Sequence, residues 1–218
     1  DSVFETFPTF SPDGQYIYYC AADSVMLPAD VERLQYALVR IPFDEQTGTF
    51  GTQVDTVVAC TDAQQQRKAS VCHPRISPDG RYLLYAEGDY GQFHIWHKSS
   101  DLFVKDLQTD SIYALTDANS DDVDSYHTWS SNGRWIVFAT RRMDGNYSRA
   151  FITYFDKQGR ARKAFCLPQQ DPEHNVLLLK SYNVPELTRD AVAISEKDLR
   201  QCIYETDGTL ATYKSSNR

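Results

Sequence analysis

Three stretches of the chain repeat one arrangement of apolar and polar positions. FSPDGQYIYY begins at Phe10, ISPDGRYLLY at Ile76 and WSSNGRWIVF at Trp129. Each runs apolar residue, serine, polar turn closed by glycine, polar residue, then large apolar residues. That order suits a tight turn feeding a buried strand. Pro12 and Pro78 pre-set φ at the first corner, Asp13 and Asp79 suit the second, and Gly14, Gly80 and Gly133 can take positive φ. The pattern predicts equivalent strands at residues 16–21, 82–87 and 135–140, each buried on both faces.

The segments C-terminal to the three copies also share one order. YALVRIPFDEQTGTFGTQVDTVVAC, DLFVKDLQTDSIYALTD and AFITYFDKQGRARKAFCLP each read as strand, polar turn, strand. The repeat serines, Ser11, Ser77 and Ser130, stand 66 and 53 residues apart. A four-stranded blade needs about 40–50 residues, so both intervals carry insertions. One is residues 23–35, with helix formers after Pro28. The other is residues 87–100, where FHIWHK reads as a strand or extended insertion. In the tail, AVAIS and RQCIYETDGTLATY read as strands around an Asp207–Gly208 turn, a degenerate last blade. The fold expected is all-β: a partial β-propeller of four-stranded antiparallel blades, with about four blades visible. No linker divides residues 1–218, so a single domain is expected.

The apolar–SPDG–polar–apolar pattern, with strand–Asp–turn–strand–LTD after it, resembles the Pro-Asp repeat of TolB-like propellers. ISPDGRYLLY with DLFVKDLQTDSIYALTD carries the resemblance best, and it extends over residues 7–168. SYHTWSSNGRWIVF and the later KSYNVPEL are similar to the final repeats of such proteins from Bacteroides-type bacteria. Ser131–Asn132 departs from the pattern, standing where Pro–Asp is usual. The resemblance implies a periplasmic or cell-envelope location, a protein partner there and further blades upstream. It equally implies kinship with the propeller half of prolyl-oligopeptidase enzymes, whose hydrolase half this chain lacks.

The net charge of −8 argues against nucleic acid, which needs clustered Lys and Arg. No apolar run approaches the roughly 20 residues that span a bilayer. Asp1 runs almost directly into a repeat, which reads as a processed or trimmed start. The five cysteines include no CxxC pair and exclude a fully paired intrachain framework. Cys20, Cys60 and Cys166 read as small buried hydrophobes, while Cys60 and Cys72 would be near enough in sequence to close a short loop.

No catalytic set emerges. GxSxG is absent and the repeat serines are explained by their turns. Asp117, Asn119 and Asp121 begin like a calcium loop, but Asp122 and Thr128 stand where Gly and Glu are required. Asp121, Asp122 and Asp124 are thus either a different cation site or a solvated loop. His94 and His97, three apart, would point to opposite faces of a strand. No metal or other cofactor is expected. His73 and His127 precede their turns by four and three residues, where a propeller chain enters its innermost strand. The candidate binding residues are His73, Asp124, Tyr126, His127, Trp129, Arg141 and Arg142, read as facing the axial channel. The expected function is non-catalytic protein binding. The alternative is glycan or small-ligand binding, with Trp96, Trp129, Tyr126 and the Arg pair lining a pocket. A cation-dependent lyase or hydrolase is a third reading.

Overall fold

The computed structural model describes residues 3–62 and 67–205. The chain divides into two compact units, Asp1–Leu187 and Thr188–Arg218. The first contains three antiparallel sheets, the blades of a partial β-propeller. Blade 1 is β1 (Val3–Phe10), β2 (Tyr16–Asp23) and β3 (Ala37–Asp44), with β4 (Thr49–Phe50) and β5 (Asp55–Val58) both pairing with β3. A short hairpin, β6 (Thr61–Asp62) with β7 (Arg67–Lys68), leads onward. Blade 2 is β8 (Ser70–Ile76), β9 (Tyr82–Gly88), β10 (Asp101–Asp106) and β11 (Ile112–Ala114). Blade 3 is β12 (Asp124–Trp129), β13 (Trp135–Thr140), β14 (Arg149–Tyr154) and β15 (Phe165–Cys166).

The repeated turn is built the same way in each blade. The serine hydroxyl accepts the amide of the strand's first residue: Ser11 from Tyr16 at 3.0 Å, Ser77 from Tyr82 at 2.9 Å and Ser130 from Trp135 at 2.9 Å. It donates in turn to Asp13, Asp79 and Asn132 at 2.5, 2.5 and 2.7 Å. Asn132 can replace aspartate because its amide oxygen accepts the same bond. The closing glycines have φ of 71, 74 and 64°, as the sequence pattern requires.

Strand β9 is buried on both faces, and its odd and even residues enter different cores. Leu83 and Tyr85 join Tyr18, Leu38 and Val58 of blade 1. Tyr82, Leu84 and Ala86 join Ile136, Phe138 and Phe151 of blade 3. Burying one such Leu contributes about 1.5–3 kcal/mol. Strand β13 is likewise buried on both faces, but β2 is buried only at alternate residues. Its second face has no blade beside it among the described residues.

Two expectations give way. Residues 94–96 form a 3₁₀ turn, not a strand, which brings the rings of His94 and His97 to 5.8 Å. In the tail, residues 191–195 form no strand, and Glu196–Glu205 is a helix, β-prone Ile203 and Tyr204 included. Its start explains this: Ser195 and Asp198 cap one another, the Ser195 hydroxyl accepting the Asp198 amide while the Asp198 carboxylate accepts the Ser195 amide. The Asp207–Gly208 turn lies outside the described residues. The helical turn expected after Pro28 is present at Val31–Arg33. Cys20 and Cys72 are buried free thiols, so the Cys60–Cys72 loop is not closed.

Candidate interaction face

Four residues before each repeat serine, the first strand of every blade carries a bulge. Register breaks between Thr6 and Thr9, between Cys72 and Arg75, and between Ser125 and Thr128. At each break the first residue is left-handed: Phe7 at φ 54°, His73 at 54° and Tyr126 at 50°. A left-handed non-glycine costs about 1–2 kcal/mol, so three aligned instances mark a position the fold over-determines. The three rings meet in sequence, Phe7 on His73 at 3.9 Å and His73 on Tyr126 at 4.5 Å. His73 therefore corresponds to Phe7 and Tyr126. His127 corresponds instead to Pro74 and Pro8, one place further on.

His127 and Trp129, two residues apart on one strand face, both reach across to blade 2. The His127 Nε2–H donates to the His73 carbonyl at 2.7 Å, and Trp129 Nε1–H to the Arg75 carbonyl at 3.0 Å. Both residues are buried. Burial holds His127 at about 3, His73 at about 2 and His94 at about 4, well below the usual imidazole value. All three are neutral near pH 7, and the His127 proton is fixed on Nε2 because a carbonyl only accepts.

Asp124 is fully buried and ion-paired to Arg142 Nη2 at 2.6 Å. It also accepts the Ser120 amide and hydroxyl at 2.7 and 3.0 Å, while Arg142 donates to the Ala118 carbonyl. Burial raises the Asp124 pKa, against the lowering effect of Arg142. Asp101 nearby is pushed up to about 6, by burial first and then by Asp124 and Glu87. Arg141 and Arg142 diverge: Arg141 lies 5.5 Å over the Trp96 ring and 3.9 Å from Asp122. Of the seven residues picked from sequence, the structure thus brings His73, Tyr126 and His127 together at the inner edge and pairs Asp124 with Arg142. Trp129 lies in the core between blades, and Arg141 stands apart beside Trp96. The pocket expected from Trp96, Trp129, Tyr126 and two arginines does not assemble.

Exposed apolar side chains also lie on the links between the second and third strands of each blade. In an antiparallel blade the links from second to third strand all emerge at one end, opposite the serine turns. Here those links are residues 24–36, 89–100 and 141–148. They carry exposed Met26, Leu27 and Val31, then Phe93 and Trp96, then Met143. Met26 is 73% exposed and Trp96 71%. The first two links are joined by the Gly91 amide donating to the Leu34 carbonyl at 2.7 Å. The second and third are joined by Trp96 under Arg141, while Ile95 of the second link packs on Val123 and Ala139 at the blade beneath. The result is one continuous rim. Sequence reasoning placed the insertions but not their shared end, which only strand pairing defines.

Among the described residues, no group of three or more His, Cys, Asp or Glu is disposed to hold a metal ion, and no helix is long and apolar enough to cross a membrane. No family model and no curated protein matches the chain. Solved β-propeller structures do resemble it. An oligogalacturonate lyase in complex with manganese aligns with a TM-score of 0.50 at 12% identity, over 78% of this chain and 43% of that one. The β-propeller domain of the Trilobed protease from Pyrococcus furiosus, described as having an open velcro topology, aligns at 0.43 and 16%, over 78% and 45%. Puromycin hydrolase aligns at 0.48 and 16%, over 74% of this chain and 23% of its own. The chain thus spans less than half the length of each of these structures.

Proposed function

We propose that this chain is a non-catalytic propeller module that binds a protein partner through the rim formed by residues 24–36, 89–100 and 141–148. The observation that supports it is exposed Met26, Leu27, Phe93, Trp96 and Met143 on links joined to one another by hydrogen bonds and ring contacts. Aromatic and methionine side chains are enriched at the centres of protein interfaces, where they bury large areas at low entropic cost. The inner-strand residues support the rim: the Tyr126 ring packs with Ile95, Val123 and Ala139, directly beneath the second link. The repeat serines are engaged in turns and three histidines are held neutral in the interior, so these groups serve architecture. The TolB-like resemblance adds the setting, a periplasmic or envelope complex.

A glycan partner is the second reading, favoured by the exposed Trp96 indole beside the Arg141 guanidinium. One experiment separates the two. Wild type and Phe93→Ala/Trp96→Ala are compared for capture of partners from an envelope extract, with and without competing oligosaccharides. The expected outcome is at least about tenfold weaker capture of one defined protein, insensitive to sugar. Unchanged recovery by a folded double variant would remove the rim as the working surface.

A further inference from the structure

The two boundaries between blades share one register but are filled differently. Between blades 2 and 3, the serine-turn end is closed by Trp129, which precedes its serine, and by Phe155, whose amide donates to the Arg134 carbonyl at 2.8 Å. Their rings meet at 5.0 Å, and Phe155 meets Tyr82 at 5.1 Å. The turns also approach one another: a Cβ on Gly133 would lie 3.5 Å from Pro78 Cδ. Between blades 1 and 2 the same places hold Ile76 and Leu107, the Leu107 amide donating to the Arg81 carbonyl at 2.8 Å. Both side chains are smaller, and a Cβ on Gly80 would meet nothing within 4 Å. The result is a cleft of about 470 Å³, lined by Tyr16, Tyr18, Ile76 and Leu107 and by residues 11–13 and 78–80 of the two turns. That volume suits a small organic molecule.

Arg40 gives this cleft a charge that its counterparts lack. Strand register pairs Tyr18 with Arg40, Leu84 with Val104 and Val137 with Ile152, so Arg40 stands where the other two blades carry aliphatic residues. It lines the cleft with its guanidinium 4.5 Å over the Tyr16 ring. Its bonds are long: 3.5 Å to the Tyr18 hydroxyl, and 3.4 and 3.5 Å to one oxygen of Asp55. Charge-assisted bonds close to about 2.7–2.9 Å, and Arg142 reaches Asp124 at 2.6 Å. The Arg40 fork therefore keeps donor capacity for a second acceptor. The turn carboxylates are otherwise engaged. Asp13 accepts the Ser11 hydroxyl and the Gln15 amide, and Asp79 accepts the Ser77 hydroxyl and the Arg81 amide. Their charge beside the cleft disfavours a ligand with more than one anionic group.

We infer that the cleft between blades 1 and 2 is a binding site for a small monocarboxylic acid with an aromatic or branched apolar body. The carboxylate takes the planar Arg40 fork, whose geometry matches it. The apolar body lies against Tyr16, Tyr18 and Ile76, in the volume that Trp129 and Phe155 fill at the next boundary. The site is at the serine-turn end, opposite the rim, and does not depend on the rim's role.

Phenylacetate, 2-phenylethanol and 2-phenylethylamine share one body and differ in charge. Their binding is measured by NMR titration of wild type, Arg40→Gln and Ile76→Trp/Leu107→Phe, each checked for folding by its thermal melt. Wild type should bind phenylacetate at least about tenfold more tightly than either of the others. Arg40→Gln should bring phenylacetate and 2-phenylethanol to equal affinity, and the cleft-filling double variant should lose phenylacetate. Should the double variant not fold, the Arg40→Gln comparison decides alone. Phenylacetate held no more tightly than the alcohol by wild type would overturn the inference. So would a preference for the amine, which would assign the cleft to the turn aspartates, or undiminished phenylacetate binding by a folded double variant.

Discussion

The His127 imidazole donates its Nε2 proton to the backbone carbonyl of His73, 54 residues earlier, at 2.7 Å. That carbonyl sits at the left-handed bulge of the neighbouring blade, and it points at the ring because the bulge turns the peptide out of the strand ladder. One blade's irregularity is thus the acceptor for the next blade's side chain. The Trp129 indole repeats the bond two residues on, to Arg75.

Removing these donors should loosen blade 3 from blade 2. His127→Ala leaves a buried carbonyl unpaired and opens a small cavity, for an expected loss of about 2–3 kcal/mol in urea unfolding. Trp129→Phe keeps most of the buried ring but loses the N–H, for about 1–2 kcal/mol. Equal stability of Trp129→Phe and wild type would show that the Arg75 carbonyl finds another partner.

Stability should fall in mild acid. His73, His127 and His94 have folded values of about 2, 3 and 4, against about 6.5 in an unfolded chain. Their folded values are depressed, so unfolding takes up protons as pH drops below 6.5, and stability is lost in that direction. Asp101 acts with the opposite sign: at about 6 in the fold, its contribution is present at low pH and fades as pH rises through 6. For these four groups the net uptake near pH 5 is about two protons, an upper slope of about 2–3 kcal/mol per pH unit; His97, lowered by burial, adds to it, and Asp124, raised by burial, opposes it. Urea midpoints measured from pH 7 to 4.5 should decline steadily. Flat midpoints would mean that these rings reach solvent or ionise in place.

Glycine substitutions should separate backbone strain from steric contact. At Gly80, φ is 74° and a Cβ would meet nothing within 4 Å, so Gly80→Ala costs only the left-handed penalty, about 1 kcal/mol. At Gly159, φ is 81° and a Cβ would lie 2.6 Å from the Tyr113 hydroxyl, which donates to the Gly159 carbonyl at 2.8 Å. Gly159→Ala should therefore cost clearly more, about 2–4 kcal/mol, and displace Tyr113. Thermal melts of the two variants side by side test the ordering.

The repeat itself was legible in the residues. A serine, a two-residue corner, a glycine and an apolar run are each demanded by local geometry, so Ser11, Ser77 and Ser130 announce their turns and strands without reference to the rest of the chain. The bulge was nearly legible: counting four residues back from each serine reaches Phe7, His73 and Tyr126. Matching by residue type paired His73 with His127 instead and missed by one place.

Tertiary structure alone decided what each polar residue is for. Asp124, His127 and Arg142 look like surface chemistry in the sequence, because nothing local reveals which charges or donors will be enclosed between blades. Enclosure depends on strand pairing over separations such as the 54 residues from His73 to His127, and no local pattern encodes that distance. The same reason hid the rim. Exposed Met26 lies far along the chain from Phe93 and Trp96, and only antiparallel pairing brings their links to one end. The tail shows the converse limit. Residues 200–205 have β-prone Ile and Tyr, yet the Ser195–Asp198 cap starts a helix that carries through them, since among the described residues no neighbouring strand competes for that backbone.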